Sequence, residues 1–160
     1  MAANVTPTAK EILVRIAIGA DHAGYELKDK MAKRLAEAGH AVTDFGTHTT
    51  DSVDYPDFAA AVANAVRDGR SERGVVICGS GAGAVIAANK IKGVRALMGC
   101  DTYTAHQAVE HDDANVICFG SRTQGELVTY EILDAFMKAE FIQEERYVRR
   151  LNKVKALEAG

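Results

Sequence analysis

The sequence has little of what marks secreted, membrane-bound or nucleic-acid-binding proteins. Only three of its 160 residues are cysteines, widely spaced and without a CxxC pair. No disulfide framework is implied, and reduced thiols of a cytoplasmic protein are expected. Residues 1–11 contain no long apolar stretch, so they predict neither a secretion signal nor a membrane span. A net charge of -3 gives no general attraction to nucleic acid. Neither a membrane nor a nucleic acid is an expected partner.

Proline is also scarce, with two residues, and the chain shows no linker, internal repeat or low-complexity tract. A second domain is therefore not expected. A chain of this length can bury roughly two thirds of its unfolded surface in one core. We expect residues 1–11 to be a disordered lead-in and residues 12–160 to form a single domain.

Five short apolar runs, each bounded by polar residues or glycine, alternate with helical patterns. The runs predict strands over residues 13–18, 41–45, 75–78, 96–98 and 116–119. Apolar residues repeat every four positions at 27, 31 and 35, and again at 58, 62 and 66, which predicts two amphipathic helices. Gly39 and Gly69 are expected to end them. The alternation predicts an α/β fold: a three-layer α/β/α sandwich, Rossmann-like, with a five-stranded parallel sheet and a C-terminal helix.

A glycine-rich segment, Cys78-Gly79-Ser80-Gly81-Ala82-Gly83, follows the third strand and precedes a helix. Its glycines let the backbone approach a ligand, and the N–H groups of the loop and helix suit an anion. The same field favours the reactive thiolate form of Cys78. Two alternatives stay open. Cys78 is a small buried apolar residue, or the loop binds a nucleotide whose ribose is held by Asp101, although the dinucleotide fingerprint is Gly-x-Gly-x-x-Gly.

Ligands of open parallel sheets bind outside the carboxyl ends of the strands. Asp21 and His22 follow the first strand and Arg122 follows the fifth, so we expect them near Cys78. Helix capping alone is the alternative role for Asp21. His111 precedes its strand and therefore lies at the opposite end, where it would serve a neighbouring subunit's site. That geometry predicts a homodimer with shared sites.

Two arginines near the C-terminus, Arg146 and Arg150, stand one helical turn apart and can grip one phosphate. The alternative is a solvated surface on which neighbouring glutamates are their partners. No HExxH or comparable metal-ligand spacing occurs, so neither a metal nor a cofactor is expected.

In this order the motifs resemble those of type B ribose-5-phosphate isomerases, within the family that includes galactose-6-phosphate and allose-6-phosphate isomerases. The resemblance extends from Arg15 to about Leu157. The motifs are DHAG at 21–24, DYPD at 54–57, CGSG at 78–81, AANK at 87–90, GVR at 93–95, NV at 115–116, GSR at 120–122 and RYVRR at 146–150.

The resemblance implies a metal-independent aldose–ketose isomerase that works through an enediolate. It implies that Cys78 moves the proton between C2 and C1, and that Ser80 passes protons between O1 and O2. His111 would open the furanose ring while Asp21 holds the sugar. The backbone N–H groups that would hold the enediolate oxygen are those of Gly79, Gly81, Ala82 and Gly83. The side chains that would contact the sugar or its phosphate, some of them from a partner chain, are Tyr55, Asp112, His22, Arg122, Arg146 and Arg150.

The chain departs from the usual pattern of this family at two places. Asp112 stands beside His111 where many relatives have Asn, and Tyr147 stands where many have His. Another branch of the family has a Glu base at the position of Ala84, which leaves Cys78 as the candidate base here.

We therefore predict an isomerase of ribose 5-phosphate and ribulose 5-phosphate, an enzyme of the pentose phosphate pathway, cytoplasmic and homodimeric or tetrameric. Allose 6-phosphate or galactose 6-phosphate is the nearest alternative substrate. A nucleotide- or flavin-binding module and a Cys/His hydrolase are the alternatives from other classes. The hydrolase would need His111 within hydrogen-bond reach of Cys78.

Overall fold

The structure is a computed structural model in which residues 13–160 are described. Strands and helices alternate along the chain in the order β1 (Arg15–Ala20), α1 (Tyr25–Glu37), β2 (Ala41–Asp44), α2 (Tyr55–Arg67), β3 (Arg73–Cys78), α3 (Ala82–Ala88), β4 (Ala96–Met98), α4 (Thr102–Asp112), β5 (Val116–Gly120), α5 (Glu126–Lys138) and α6 (Glu145–Ala159). The expected lead-in at residues 1–11 lies outside the described residues.

The five strands form one sheet in the spatial order β2-β1-β3-β5-β4, and all neighbours pair in parallel. The predicted parallel α/β sandwich is confirmed. Strand β3 begins at Arg73 rather than at residue 75, and Arg73 pairs opposite Ile16. A charged residue and a glycine are unusual in strands, so the apolar run understates the length of β3. The Arg73 guanidinium donates to the carbonyl oxygens of Phe136 and Ala139 at the end of α5.

Helices cover both faces of the sheet and divide the core into two clusters. On one face α1, α4 and α5 pack against the strands, with Met31, Val109, Leu133 and Phe136 among the buried residues. On the other face α2 and α3 do so, with Val62, Val66, Ala84 and Ala88 buried. The expected end signals of α1 and α2 are present: Gly39 and Gly69 have φ of +93° and +71°, a conformation that favours glycine after a helix.

The first turns of α1 differ from the predicted apolar stripe. Lys28 is fully buried, whereas the predicted Leu27 is half-buried. The Lys28 Nζ lies 2.6 Å from Asp44 Oδ2 and 3.0 Å from Asp29 Oδ1, which is the pairing that a buried lysine requires. Asp44 Oδ1 also accepts the N–H of Gly46. This ion pair therefore braces the loop that follows β2.

Two asparagines from the motifs hold the edge strand β4. The side chain of Asn89 donates to the carbonyl of Ala96 at 2.9 Å and accepts its N–H at 2.8 Å, as a neighbouring strand would. The side chain of Asn115 accepts the N–H of Arg95 at 2.8 Å and donates to the carbonyl of Gly93 at 3.0 Å. These two motif residues therefore serve the fold.

The C-terminal helix α6 packs against α4 near the amino-terminal edge of the sheet. Near its end Glu158 accepts the N–H of Gly93, in the turn before β4, at 3.0 Å. Near its start Tyr147 is buried beside the end of α4. Within residues 13–160, no helix has the length and apolarity needed to span a membrane.

Candidate active site

Three loops meet at the carboxyl edge of the sheet, where the winding of the chain changes direction. Strand β1 has β2 on one side and β3 on the other, and β3 in turn pairs with β5. The crevice at such a switch point is the usual ligand site of an open parallel sheet. A cleft of about 360 Å³ lies there, a size suited to a small molecule. The residues that line it are Asp21, Tyr55, Cys78, Gly79, Ser80, Gly83, Arg122 and Thr123.

Cys78 is the last residue of β3 and is only 4 % exposed. Its Sγ accepts the N–H of Gly81 at 3.1 Å. Gly81 has φ of +84°, and a Cβ at this position would lie 2.7 Å from Met98 Sδ, so glycine alone fits without strain. An N–H donor aimed at sulfur stabilises negative charge on it. The Cys78 thiol is therefore held by the backbone of the glycine loop in the cleft that it lines.

The three cysteines are all free thiols, but their environments differ. Cys100 is exposed. Cys118 lies within β5 and is fully buried. Burial raises the pKa of the Cys118 thiol, and the nearby Cys78 is a smaller cause. Such a thiol stays protonated and unreactive. Of the three, Cys78 is the one that lines the cleft.

The glycines around the cleft allow close packing. A Cβ on Gly83 would lie 2.6 Å from the Tyr55 ring, and one on Gly120 would lie 2.5 Å from the backbone of Ser80. Both distances are too short for a real Cβ, so any side chain would displace these neighbours. The Ser80 Oγ accepts the N–H of Ala82 at 3.3 Å. The Tyr55 ring therefore forms a wall of the cleft directly against the glycine loop.

Asp21 follows β1 directly, and its side chain shapes the turn before α1. Its Oδ1 accepts the N–H of Ala23 at 3.0 Å and that of Gly24 at 3.1 Å, which fixes the turn that leads into α1, whereas the N-cap of α1 is Gly24 and no side chain caps it. Asp21 also lines the cleft. Its neighbour His22 does not line the cleft, and its Nδ1 accepts the N–H of Val53 at 3.2 Å. Nε2 is then the protonated nitrogen of the neutral His22 ring.

Arg122 brings positive charge to the cleft. Its Nη1 lies 3.4 Å from the position that a Cβ on Gly79 would take. The backbone N–H of Arg122 donates to the carbonyl of Gly79 at 3.1 Å, so this arginine is joined to the glycine loop. A guanidinium in this place suits a carboxylate or phosphate group.

The remaining predicted residues lie on α4 and α6, at the amino-terminal edge: His111, Asp112, Arg146 and Arg150. The His111 ring stacks on Tyr147, with the ring centroids 4.1 Å apart and the planes at 15°. The Cζ atoms of Arg146 and Arg150 lie 4.6 Å and 6.0 Å from the Tyr147 centroid. Arg146 also pairs with Glu144 at 2.8 Å. The aromatic ring of Tyr147 is therefore the centre of a basic cluster.

The alternatives from other classes lose support. The Asp101 carboxylate accepts the N–H of Thr104 at 2.7 Å and its hydroxyl at 2.8 Å, and so caps α4. The nucleotide interpretation thereby loses its ribose ligand. The hydrolase interpretation would need His111 beside Cys78, and the two lie at opposite edges of the sheet. Among residues 13–160 no group of three or more His, Cys, Asp or Glu side chains could hold a metal ion.

The model of the Ribose/Galactose Isomerase family matches residues 16–154, which span the sheet, the cleft and most of α6. The chain belongs to the ribose/galactose isomerase family.

The chain is 40 % identical over 144 residues to ribose-5-phosphate isomerase B of Escherichia coli strain K12, covering 90 % of this chain and 96 % of the relative. It is 41 % identical over 130 residues to D-erythrulose-4-phosphate isomerase of Pectobacterium atrosepticum, covering 81 % and 86 %. A solved structure of ribose-5-phosphate isomerase B from Mycoplasma genitalium with bound ribulose 5-phosphate aligns with a TM-score of 0.85 and 39 % identity, covering 91 % of this chain and 96 % of that chain. The family resemblance seen in the motifs is confirmed.

Sequence reasoning missed two residues near the cleft of this isomerase. Thr123 lines the cleft, and its hydroxyl donates to the carbonyl of Gly120 at 2.9 Å. The Ser121 hydroxyl donates to the carbonyl of Ala23 at 2.7 Å. The available signal was the GSR motif, in which only the charge of Arg122 suggests a ligand. The hydroxyls of Ser121 and Thr123 bind backbone carbonyl oxygens. Composition and motif spacing do not reveal such contacts.

Proposed function

We propose that this chain interconverts D-ribose 5-phosphate and D-ribulose 5-phosphate by metal-independent proton transfer through an enediolate. The main observation behind this proposal is that the Cys78 Sγ, in the cleft, accepts the backbone N–H of Gly81 at 3.1 Å. Asp21, Tyr55 and Arg122 line the same cleft and offer hydroxyl-binding oxygens and a cation. Relatives named ribose-5-phosphate isomerase B support the five-carbon substrate.

Cys78 acts as the base of the isomerisation. Its thiolate removes the proton from C2 of the open-chain aldose and returns it to C1, while C2 becomes the ketone carbonyl. The negative charge that develops on oxygen in the enediolate requires preorganised donors, each worth about 10²–10³ in kcat. The N–H of Gly81 already donates to the sulfur and that of Ala82 to the Ser80 hydroxyl. We therefore propose that the N–H groups of Gly79 and Gly83 donate hydrogen bonds to the enediolate oxygen.

The polar side chains of the cleft hold and protonate the sugar. Ser80 carries a proton between O1 and O2, because its hydroxyl both donates and accepts. Asp21 accepts a sugar hydroxyl with the carboxylate oxygen that is not bound to the backbone. Tyr55 forms the wall against which the carbon chain lies.

The basic cluster around Tyr147 completes the cleft of a second copy of the chain. His111 transfers a proton at the furanose ring oxygen, and the adjacent Asp112 contacts the sugar hydroxyls. Arg146 and Arg150 hold the phosphate from the partner's side, and His22 and Arg122 hold it from within the chain. In a two-fold dimer, the carboxyl edge of the sheet in each subunit can face the amino-terminal edge of the other subunit's sheet. The active assembly is then a homodimer with shared sites, or a tetramer made of two such dimers.

The free thiols support the proposal of a cytoplasmic enzyme, and the proposed chemistry requires no cofactor. A thiolate base and amide donors supply proton transfer and charge stabilisation, so the reaction needs no metal. All three cysteines are free, as expected in a reducing compartment.

The test is proton NMR of ribose 5-phosphate in deuterated water with purified, chelator-treated protein. We expect ribulose 5-phosphate to form and to carry solvent deuterium, because a protein thiol exchanges its proton with water. Cys78→Ala is the matched control, and it should form no product over the same period.

Other substrates turn the same experiment into a comparison. Erythrulose 4-phosphate, allose 6-phosphate and galactose 6-phosphate are assayed beside ribose 5-phosphate, the first because of the similarity to a relative named for it. A higher kcat/KM for any of them would replace the substrate assignment. Product free of deuterium, with activity restored by a divalent metal after chelation, would indicate hydride transfer and overturn the mechanism.

A further inference from the structure

Ser121, the first residue after β5, joins the other two loops of the cleft. Its hydroxyl donates to the carbonyl of Ala23 in the loop after β1, at 2.7 Å. Its backbone N–H donates to the carbonyl of Cys78 at the end of β3, at 2.9 Å. One residue thus links the loop that carries Asp21 to the strand end that carries the thiol.

The loop after β1 is a tight turn in which the backbone and the Asp21 side chain move together. The N–H groups of Ala23 and Gly24 both bind Asp21 Oδ1, and the Asp21 N–H donates to the carbonyl of Ile77 at 3.2 Å. A Cβ on Gly24 would lie 2.5 Å from that same carbonyl oxygen, so the loop lies flat against β3. Because Ala23 is part of this turn, a shift of its peptide moves the carboxylate.

We propose that Ser121 is a positioning residue for the isomerase reaction, with its hydroxyl fixing the Asp21 carboxylate relative to the Cys78 thiol. This inference rests on the proposed function. Ser121 does not line the cleft, so it acts through Ala23 and Asp21 rather than on the substrate. An error of about 1 Å in such an arrangement can cost up to about 10²-fold in rate.

The experiment compares Ser121→Thr with Ser121→Val. The two side chains have nearly the same shape, and only threonine retains the hydroxyl. Both variants keep the backbone N–H that holds Cys78. We expect Ser121→Thr to stay within about threefold of the wild-type kcat and Ser121→Val to lose about tenfold in kcat, with KM changed by less than about threefold. Ser121→Ala replaces the valine variant if valine does not fold.

Alkylation of Cys78 by iodoacetamide supplies a readout that does not depend on turnover. It is measured in a Cys100→Ser background, because Cys100 is exposed and Cys118 is buried. We expect the same alkylation rate in the threonine and valine variants, since the thiol is held by the backbone bond that both retain.

Three outcomes would overturn the inference: equal kcat in the two variants, a loss that appears in KM instead of kcat, or faster alkylation in the valine variant, which would mean that the loops simply open. A wild-type protein that turns over no sugar phosphate would instead refute the proposed function, and the alkylation rates would still compare the loops.

Discussion

The two edges of the sheet hold their functional groups in different ways. At the carboxyl edge, backbone hydrogen bonds fasten the three loops together: Asp21 to Ile77, Ser121 to Cys78 and Arg122 to Gly79. At the amino-terminal edge, side chains stack on one another: the His111 ring and the Arg146 and Arg150 guanidinium groups surround the Tyr147 ring. The first region is fixed by the sheet, whereas the second depends on how α6 packs against α4.

This difference fits the steps that each region is proposed to perform. Moving a proton between two carbon atoms needs a base and oxyanion donors at fixed distances, which backbone bonds at strand ends provide. Opening a ring and holding a phosphate need a titrating group and cations, which long side chains on a helix supply with more freedom. The proposed mechanism accordingly assigns the isomerisation to the cleft and the handling of a second copy's substrate to the stacked cluster.

The largest effect should come from removing the thiol in the cleft. Cys78→Ala should lower kcat for ribose 5-phosphate by about 10³-fold, because the proton-transfer base is lost. The matched control is Cys118→Ala, which deletes the neighbouring buried thiol and should keep kcat within about threefold. Steady-state kinetics and thermal melting of both variants check this. Equal losses in the two variants would mean that the cysteines matter for packing only.

Mixing two inactive variants tests whether the two edges work on one substrate. Cys78→Ala and His111→Ala are each expected to be inactive alone. After subunit exchange, heterodimers would hold one complete site, and about a quarter of the wild-type sites would be restored. A mixture of Cys78→Ala with Cys78→Ser is the control and should stay inactive. If mass spectrometry verifies that subunits have exchanged and no activity returns, the sites are not shared between subunits.

Substitutions in the cluster around Tyr147 should lower activity less than substitutions in the cleft. Tyr147→Leu removes the aromatic platform and should lower kcat/KM by about tenfold, because stacking and cation–π contacts are each worth about 1 kcal/mol. Tyr147→Phe keeps the ring and should stay within about threefold of wild type. Kinetics with ribose 5-phosphate distinguish the two. Equal losses would assign the role to the Tyr147 hydroxyl and not to the ring.

Sequence patterns predict those parts of the molecule that depend on periodicity and on special backbone geometry. Asp21, Cys78 and Arg122 each lie at or just after the end of a predicted strand, so the sequence predicts them at the carboxyl edge of the sheet. The glycine-rich loop predicts the position of the cleft. Lys28 escapes prediction because its burial depends on Asp44, sixteen positions away in sequence. Ser121 escapes because its partner Ala23 is ninety-eight positions away. Long-range polar pairs leave no period in the sequence, whereas amphipathic helices do.

The helix α4 connects the two regions, since Asp101 caps it at the carboxyl edge and His111 lies in its last turn. The backbone N–H of Thr104, followed by its hydroxyl, holds the pKa of the Asp101 carboxyl below its usual value. A carboxyl with a lower pKa in the folded state adds stability above its unfolded pKa, near 4, and loses that stability as the pH falls through the folded pKa.

Asp101→Asn keeps an oxygen for the cap but does not titrate, so its effect should be the smallest. Urea unfolding at a series of pH values should show a smaller loss of stability for the variant than for wild type between about pH 5 and pH 2. Turnover at neutral pH should be unchanged, because the cap lies at the opposite end of α4 from His111. If the stability of the variant depends on acid pH as that of wild type does, the charge of Asp101 does not contribute to the cap. Reduced turnover would mean that the two edges are coupled through α4 and do not act as independent halves of a shared site.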